Sequence, residues 1–448
     1  MAKQLFGTDG IRGKANQYPI TPEIALRVGR SVARTLCTDQ SRVNKVIIGK
    51  DTRISGTMLE SAISSSLISE GVEVTIAGVT STPAIARLTG EMDYTAGIML
   101  TASHNPYQDN GIKIFGSDGF KLSDEQELAI ESIILADTLH EPEAPLGGVT
   151  TDTSLSEQYI TFAKNAVSGR SFSGLKVVLD CANGSAHKIA PRIFQELGAE
   201  VIALSTSPDG KNINQGCGAL HPDQAASAVL EHKAHIGICF DGDADRVIFC
   251  DEKGKVIDGD SILCLCAKAL HAQGKLKNNT LVATVMSNLG LRDSLTKDGI
   301  KLETTGVGDK LVLERMREKG YNLGGENSGH IIYSDYATTG DGVMSALMIL
   351  ALMQDRAIPF SELANCMDIY PQVLLALEVS EKPPITEVPA LAEAIAAAEN
   401  AFADKGRVLV RYSGTEKKIR VLTECSDANL AKSQAQLISD AVKASIGV

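Results

Sequence analysis

No run of 18 apolar residues occurs anywhere in the 448-residue chain, so its sequence offers no transmembrane helix. The longest candidate, Val343 to Met353, has the length of a buried helix instead. The opening residues Met1-Ala-Lys-Gln-Leu-Phe-Gly7 lack the apolar region of a signal peptide. Zinc-type cysteine spacing is missing too. Nine cysteines lie scattered through apolar segments, and only Cys264-Leu-Cys266 approaches a pair. Isolated thiols in odd number fit a reducing compartment, and the expectation is a cytoplasmic protein with no membrane partner. Positive charge is scarce: 43 Lys and Arg stand against 55 Asp and Glu, a net charge of −12. That balance argues against nucleic acid, yet a few converging cations can still hold a small phosphate. The frame G-x-S-x-G is absent as well, which removes the usual setting of a hydrolase serine.

What is present is ordinary globular composition, 44% hydrophobic and 22% charged, in a chain too long for one core. Three segments share one grammar of apolar strand, Gly-containing polar loop and helix. Lys45-Val-Ile-Ile-Gly49 leads into Lys50–Gly56 and a helix bearing Leu59, Ile63 and Leu67. Lys176–Asp180 leads into Cys181–Ser185 and a helix through Ile193. Leu281–Val285 leads into Met286–Gly290 and a third helix. Strands alternating with helices predict parallel or mixed α/β layers, with sites at the carboxyl ends of strands. Thr21-Pro22 before Ile24, Val28 and Val32 predicts a capped helix. Residues Leu139 to Ser156 read as a linker. Further boundaries near Gly254–Asp260 and Asp368–Pro371 give four domains, 1–152, 153–256, 257–368 and 369–448. The last reads as α+β, with an Ala-rich helix over Val388–Phe402, strands near Arg407–Val410 and Ile419–Leu422, and a final helix.

Four loops and the N-terminal segment carry chemistry. Thr101-Ala-Ser-His-Asn-Pro106 follows the apolar strand Ala96–Leu100, so Ser103 and His104 are delivered to a loop that Pro106 ends. Lys113 lies just downstream. Asp241, Asp243 and Asp245 stand at alternate positions behind the strand Ile236–Phe240, and carboxylates this close call for a cation among them. A calcium EF-hand fails, because Arg246 stands where glycine is needed. An aspartyl-phosphate enzyme, with Asp241 as nucleophile and Asp243 as acid/base, stays open on spacing alone. Gly324-Gly-Glu-Asn-Ser-Gly-His330 offers Glu326 and Ser328 to sugar hydroxyls. Arg411-Tyr-Ser-Gly-Thr-Glu416, with Arg420 on the next strand, suits a non-reacting phosphate. Arg12 sits among glycines in Phe6–Gly13, placed to meet a phosphoryl group in transit.

Read in order, these motifs resemble the α-D-phosphohexomutase superfamily over essentially the whole chain. Gly7-Thr-Asp-Gly-Ile-Arg-Gly13, Ile48–Gly56 and Glu326-Asn-Ser-Gly-His330 look like its bacterial branch acting on glucosamine phosphate. Relatives acting on mannose or glucose phosphate typically carry Met where Asn327 stands. The resemblance implies three related α/β domains with mixed sheets and a C-terminal α+β domain of the TATA-binding-protein-like type, around a central cleft. It implies interconversion of glucosamine 6-phosphate and glucosamine 1-phosphate through a 1,6-bisphosphate, on the route to UDP-N-acetylglucosamine, with mannose or glucose phosphate as the alternative substrate. Ser103 resembles the phosphorylated serine, and Ser103, Asp241, Asp243 and Asp245 resemble ligands of Mg²⁺. Arg12, His104, Lys113 and Arg246 resemble the groups around the transferring phosphoryl, with Lys113 as an acid/base whose pKa burial beside cations would lower. Glu326, Asn327, Ser328 and His330 resemble sugar contacts, and Arg411, Ser413, Gly414, Thr415 and Arg420 the distal phosphate site. Glucosamine 1,6-bisphosphate or glucose 1,6-bisphosphate is the implied activating donor. One departure stands out: Lys417 occupies a position where the family usually has proline. A non-catalytic sugar-phosphate-binding protein would have lost Ser103 or an aspartate, and neither is lost.

Overall fold

The computed structural model describes residues 3–39, 41–136, 145–413 and 417–447. These fall into two compact units, Met1–Met286 with Asp298–Cys366, and Ser287–Lys297 with Met367–Val448. The first unit carries three sheets and the second carries one.

The first sheet has seven strands, in the order Phe6–Gly7, Gly10–Lys14, Asp109–Gly116, Ala96–Leu100, Lys45–Lys50, Glu73–Val79, Val149–Thr151. Lys45–Lys50 shows why it is a central strand. Successive side chains point to opposite faces, so Val46 and Ile48 join the core under helices Pro22–Leu36 and Gly56–Ser69. Ile47 joins the core under the helix Thr82–Glu91. The expected cap is present: Thr21 Oγ1 accepts the Ile24 N–H, with Pro22 in the first turn. The linker expected over 139–156 needs correction. Residues 137–144 lie outside the described set, but Val149–Thr151 pairs in parallel with Glu73–Val79, and Leu155 already opens a helix. A three-residue β-branched edge strand is too short to show periodicity.

In the second sheet Ile236–Phe240 lies parallel to Lys176–Asp180, which is parallel to Glu200–Leu204. Val247–Asp251 returns antiparallel beside Ile236–Phe240. In the third, Thr280–Thr284 is parallel to Lys301–Thr305 and to Leu323–Gly325, and Ile331–Tyr333 returns antiparallel beside the latter. The first sheet does the same where Asp109–Gly116 returns beside Ala96–Leu100. Three times over, then, a parallel layer ends in an antiparallel return, and the loop at that reversal is 101–108, 241–246 or 326–330. The strand–loop–helix grammar marks the sheets correctly, but the loops rich in chemistry sit at strand–loop–strand reversals.

The second unit is an antiparallel sheet in the order Gln372–Glu378, Lys418–Cys425, Gly406–Tyr412, backed by helices Pro389–Phe402 and Ala428–Ser445. Gln372–Glu378 is a strand the sequence reading did not pick out. The helix Leu289–Lys297, expected in the third domain, clusters with this unit: Glu424 accepts the Leu289 N–H at 2.7 Å.

Candidate active site

The reversals in the first and second sheets meet. Ser103 is wholly buried, and its Oγ donates to Asp241 Oδ2 at 2.6 Å. The His104 ring nitrogen Nδ1 lies 3.3 Å from the same Oγ. Asp241 Oδ1 accepts the Arg246 N–H at 3.1 Å, so both carboxylate oxygens are engaged. The flanks are strands, not the helices of an EF-hand. Close approach demands Gly242, since a Cβ there would lie 2.5 Å from the Ser103 carbonyl oxygen.

Asp241, Asp243 and Asp245 are all buried and place ligand oxygens within 4.8 Å of one another. Lys113 Nζ donates to the Oδ2 atoms of Asp243 and Asp245 at 2.8 and 2.9 Å, and Thr82 Oγ1 donates to Asp243 Oδ2 at 2.5 Å. The Oδ1 atoms of Asp243 and Asp245 are buried without any hydrogen-bond partner. Partners on one oxygen thus fix each carboxylate and leave the other oxygen buried and unpartnered. Oxygen-only donors of this kind fit a hard divalent cation.

Electrostatics corrects one expectation. Burial by itself would pull the Lys113 pKa down, but Asp243, Asp245 and Asp9 outweigh it and hold the ammonium well above its ordinary range. Lys113 is a fixed cation here, not a lysine with a lowered pKa. Asp241 moves up, because it is buried beside Asp245 and Asp243. Asp245 moves well down: burial opposes ionisation, but Lys113 and His330 overcome it. Burial, then Arg246 and Arg12, push His104 down to about 4, so its imidazole is neutral near pH 7. Arg12 pairs with Asp9, and the Nε atoms of Arg12 and Arg246 are buried without an acceptor.

The third reversal holds Glu326, Asn327 and Ser328. Ser328 Oγ donates to Glu326 Oε2 at 3.5 Å, and the Asn327 carbonyl accepts the Gly259 N–H at 3.1 Å. His330, expected at the sugar, is turned inward. It is 1% exposed, with Nδ1 3.8 Å from Asp245 Oδ1 and Nε2 accepting the Gly340 N–H at 3.0 Å.

In the second unit, Arg411 and Arg420 face each other directly across the ladder. The Ser413 N–H bonds the Lys418 carbonyl at 2.8 Å, and the Ser413 carbonyl accepts from Lys382 Nζ at 2.6 Å. Gly414 and Thr415 lie outside the described residues. The Lys417 carbonyl accepts the Val379 N–H at 3.0 Å, a bond that proline could accept equally well.

Several residues with no role assigned from sequence belong to the first unit's site. Asp9 pairs with Lys113 and Lys121, and Lys121 also pairs with Asp309 at the start of the helix Asp309–Lys319. Arg53, Asp51 and Asn214 brace the Ser103 loop. The signals were Gly-Thr-Asp-Gly, Gly306-Val-Gly-Asp309 and Asp51-Thr-Arg53, short polar runs beside glycines or at strand ends.

Comparison with known proteins agrees with this layout. The phosphoglucomutase/phosphomannomutase family matches in four successive stretches: alpha/beta/alpha domain I over residues 3–141, domain II over 157–254, domain III over 258–370 and the C-terminal domain over 374–441. A phosphoglucosamine mutase from Syntrophotalea carbinolica is 49% identical over 452 residues, covering 100% of this chain and 99% of its own. Among solved structures, a phosphoglucomutase/phosphomannomutase family protein from Burkholderia thailandensis has a TM-score of 0.81 at 23% identity, covering 98% of this chain and 99% of its own. The N-acetylphosphoglucosamine mutase of Aspergillus fumigatus, solved in complex with GlcNAc-6P and magnesium, has a TM-score of 0.70 at 18% identity, covering 98% and 96%.

Proposed function

This chain belongs to the phosphoglucosamine mutase family, within the phosphoglucomutase/phosphomannomutase superfamily, and from that premise we propose that it interconverts glucosamine 6-phosphate and glucosamine 1-phosphate, with Ser103 as the phosphoryl carrier. The observation that carries the reading is Ser103 Oγ, buried, 2.6 Å from the first of three clustered aspartates.

In the first half-reaction a sugar hydroxyl oxygen attacks the phosphorus of phosphoserine 103. The P–Oγ bond breaks as the new P–O bond forms, the hydroxyl loses its proton, and Ser103 Oγ regains one. His104 Nδ1, 3.3 Å from Oγ, is placed to pass that proton. The product is a 1,6-bisphosphate. It turns end for end, and Ser103 Oγ attacks the other phosphorus. Arg12, Lys113 and Arg246 spread positive charge around the phosphoryl group, which is most of what such a transfer needs from the protein. The bond from Ser103 Oγ to Asp241 exists only while the serine is free, so phosphorylation deprives Asp241 of that donor.

Ser103 Oγ, Asp241, Asp243 and Asp245 would hold Mg²⁺, consistent with the unpartnered Oδ1 atoms of the last two. A divalent ion bound there supplies neutralisation of the charge that develops on the phosphoryl oxygens. A serine that has lost its phosphate needs a donor, and glucosamine 1,6-bisphosphate or glucose 1,6-bisphosphate has the right chemistry. Glu326, Asn327 and Ser328 are assigned to the sugar, and Arg411, Ser413, Gly414, Thr415 and Arg420 to the non-reacting phosphate. We place the reaction in the cytoplasm, on the way to UDP-N-acetylglucosamine. All nine cysteines are free thiols, and among the described residues no helix is long and apolar enough to cross a membrane.

The test is turnover on glucosamine, glucose and mannose monophosphates side by side. We expect kcat/KM for glucosamine phosphate to lead by at least about tenfold, the worth of one polar contact at the sugar's C2. Asn327→Met narrows the gap. A preference for glucose or mannose phosphate overturns the substrate while leaving the mutase chemistry standing.

A further inference from the structure

Ser103 sits at φ 52°, in the left-handed region, which a residue with a side chain keeps only when its surroundings impose it. The imposing groups lie behind the loop. Arg53 is buried, and its planar fork is spread across the loop's backbone. Nη2 donates to the carbonyls of Ser103 at 2.9 Å and Asn105 at 2.8 Å. Nη1 donates to the carbonyls of Pro106 at 2.5 Å and Asp109 at 3.1 Å. Nε donates to Asp51 Oδ2 at 2.9 Å. From the second α/β body, Asn214 Nδ2 reaches the same two carbonyls, Ser103 at 2.9 Å and Asn105 at 3.0 Å. Asp51 closes the circuit: its Oδ2 accepts Thr101 Oγ1 at 2.7 Å, and that oxygen accepts the Ser103 N–H at 2.9 Å.

None of these groups bonds Ser103 Oγ, yet together they engage both the N–H and the carbonyl of the residue that carries it. We propose that Arg53 and Asn214 are positioning residues for phosphoryl transfer, clamping the Ser103 backbone so that Oγ keeps its place through both half-reactions. The proposal rests on Ser103 being the phosphoryl carrier. The load on the loop is large. The serine loses a multiply charged group and regains one in every turnover, beside Arg12, Arg246 and a cluster of aspartates, and each change of charge pulls on the loop. Displacement of a reacting atom by about 1 Å costs on the order of a hundredfold in rate. Lysine cannot replace Arg53, because a point ammonium lacks the flat fork that spans four carbonyls and a carboxylate.

The experiment compares Asn214→Ala, Arg53→Lys and the double variant with wild type, all first phosphorylated with glucose 1,6-bisphosphate and checked by intact mass. We expect kcat to fall about tenfold in Asn214→Ala and about a hundredfold in Arg53→Lys, with KM for glucosamine 6-phosphate within about threefold of wild type. The double variant should lose less than the product of the two, since both side chains serve the same carbonyls. A purely structural role lowers the melting temperature and leaves kcat per folded molecule alone, and that result overturns the proposal. So does a raised KM at constant kcat. If Arg53→Lys does not fold, Asn214→Ala decides alone, since it removes one amide and keeps Arg53. Wild type that turns over without phosphate on Ser103 removes the phosphoserine reading itself. A phosphorylated, active wild type beside variants of unchanged kcat removes only the clamp.

Discussion

Lys113 and Arg411 are both cations carried on strands, and their surroundings are opposite. Lys113 is buried among Asp9, Asp243 and Asp245, which hold its charge in place. Arg411 lies directly across the ladder from Arg420, and burial, then that neighbour, push its pKa down. Like charges directly opposite in a sheet are destabilising. The first region has carboxylates enough for its own lysine with two oxygens to spare, and so calls for a further cation. The second sets two arginines at directly facing strand positions. We propose that the first region runs the reaction and that Arg411 and Arg420 grip the phosphate that does not react.

Breaking the first region should stop chemistry. Ser103→Ala is expected to lower mutase turnover by at least about 10³-fold, as loss of a nucleophile does. Intact mass should show one phosphoryl group on the wild type that the variant lacks. Near-normal turnover in the variant would return the nucleophile to Asp241. Chelation of divalent ions should abolish turnover, and Mg²⁺ should restore it. Asp243→Asn removes one clustered charge, and by calorimetry Mg²⁺ affinity should drop at least about tenfold. Undiminished turnover in excess chelator would remove the metal from the scheme.

Breaking the second region should weaken grip instead. Arg420→Ala is expected to raise KM for glucosamine 6-phosphate by about ten- to a hundredfold, the worth of a charge-assisted hydrogen bond. Its kcat should change far less. A variant whose kcat falls while KM holds would erase the division of labour between the two regions.

The sequence carried the strands and the ligand-bearing motifs because both are local. Ala96–Leu100 and Ile236–Phe240 are unbroken apolar runs, and the serine and aspartates follow within a few residues. What it could not carry was set by contacts distant along the chain. From sequence Lys113 reads as a lysine beside cations, because nothing local says that Asp9, Asp243 and Asp245 converge on it. Sequence alone places His330 with the sugar contacts, while the fold turns its ring toward Asp245 and Asp309. The clamp on Ser103 joins Arg53 to Asn214 across 161 residues of sequence. The helix Leu289–Lys297 looked like part of a third repeat, whereas the Leu289 N–H is bonded by Glu424, 135 residues away.

A third environment sharpens the comparison. Asp341 caps the helix Gly342–Arg356 by accepting the Met344 N–H at 2.9 Å, and it takes the Tyr159 hydroxyl at 2.8 and 2.9 Å. It is buried like Asp245, but its hydrogen-bond donors are neutral, and Arg87 acts on it more weakly than they do. Burial therefore wins, against the Met344, Tyr159, Val343 and Arg87 contributions, and raises its pKa from 3.8 to about 6. The sign follows. Above pH 6 the carboxylate is ionised in both folded and unfolded chains, and the folded state bears the cost of burying it. As pH falls from 6 towards 4, the folded chain takes up a proton that the unfolded chain does not, and stability is gained. Below about pH 4 both forms are protonated and the gain is complete. A shift of about two units corresponds to roughly 3 kcal/mol. Asp341→Asn is neutral at every pH and keeps the cap, so other carboxylates cancel when the two proteins are compared. We expect the wild type to gain on the variant by up to about 3 kcal/mol between pH 7 and pH 4, read from urea unfolding at several pH values. A difference that stays flat across that window would mean that Asp341 is held ionised, like Asp245, by a cation.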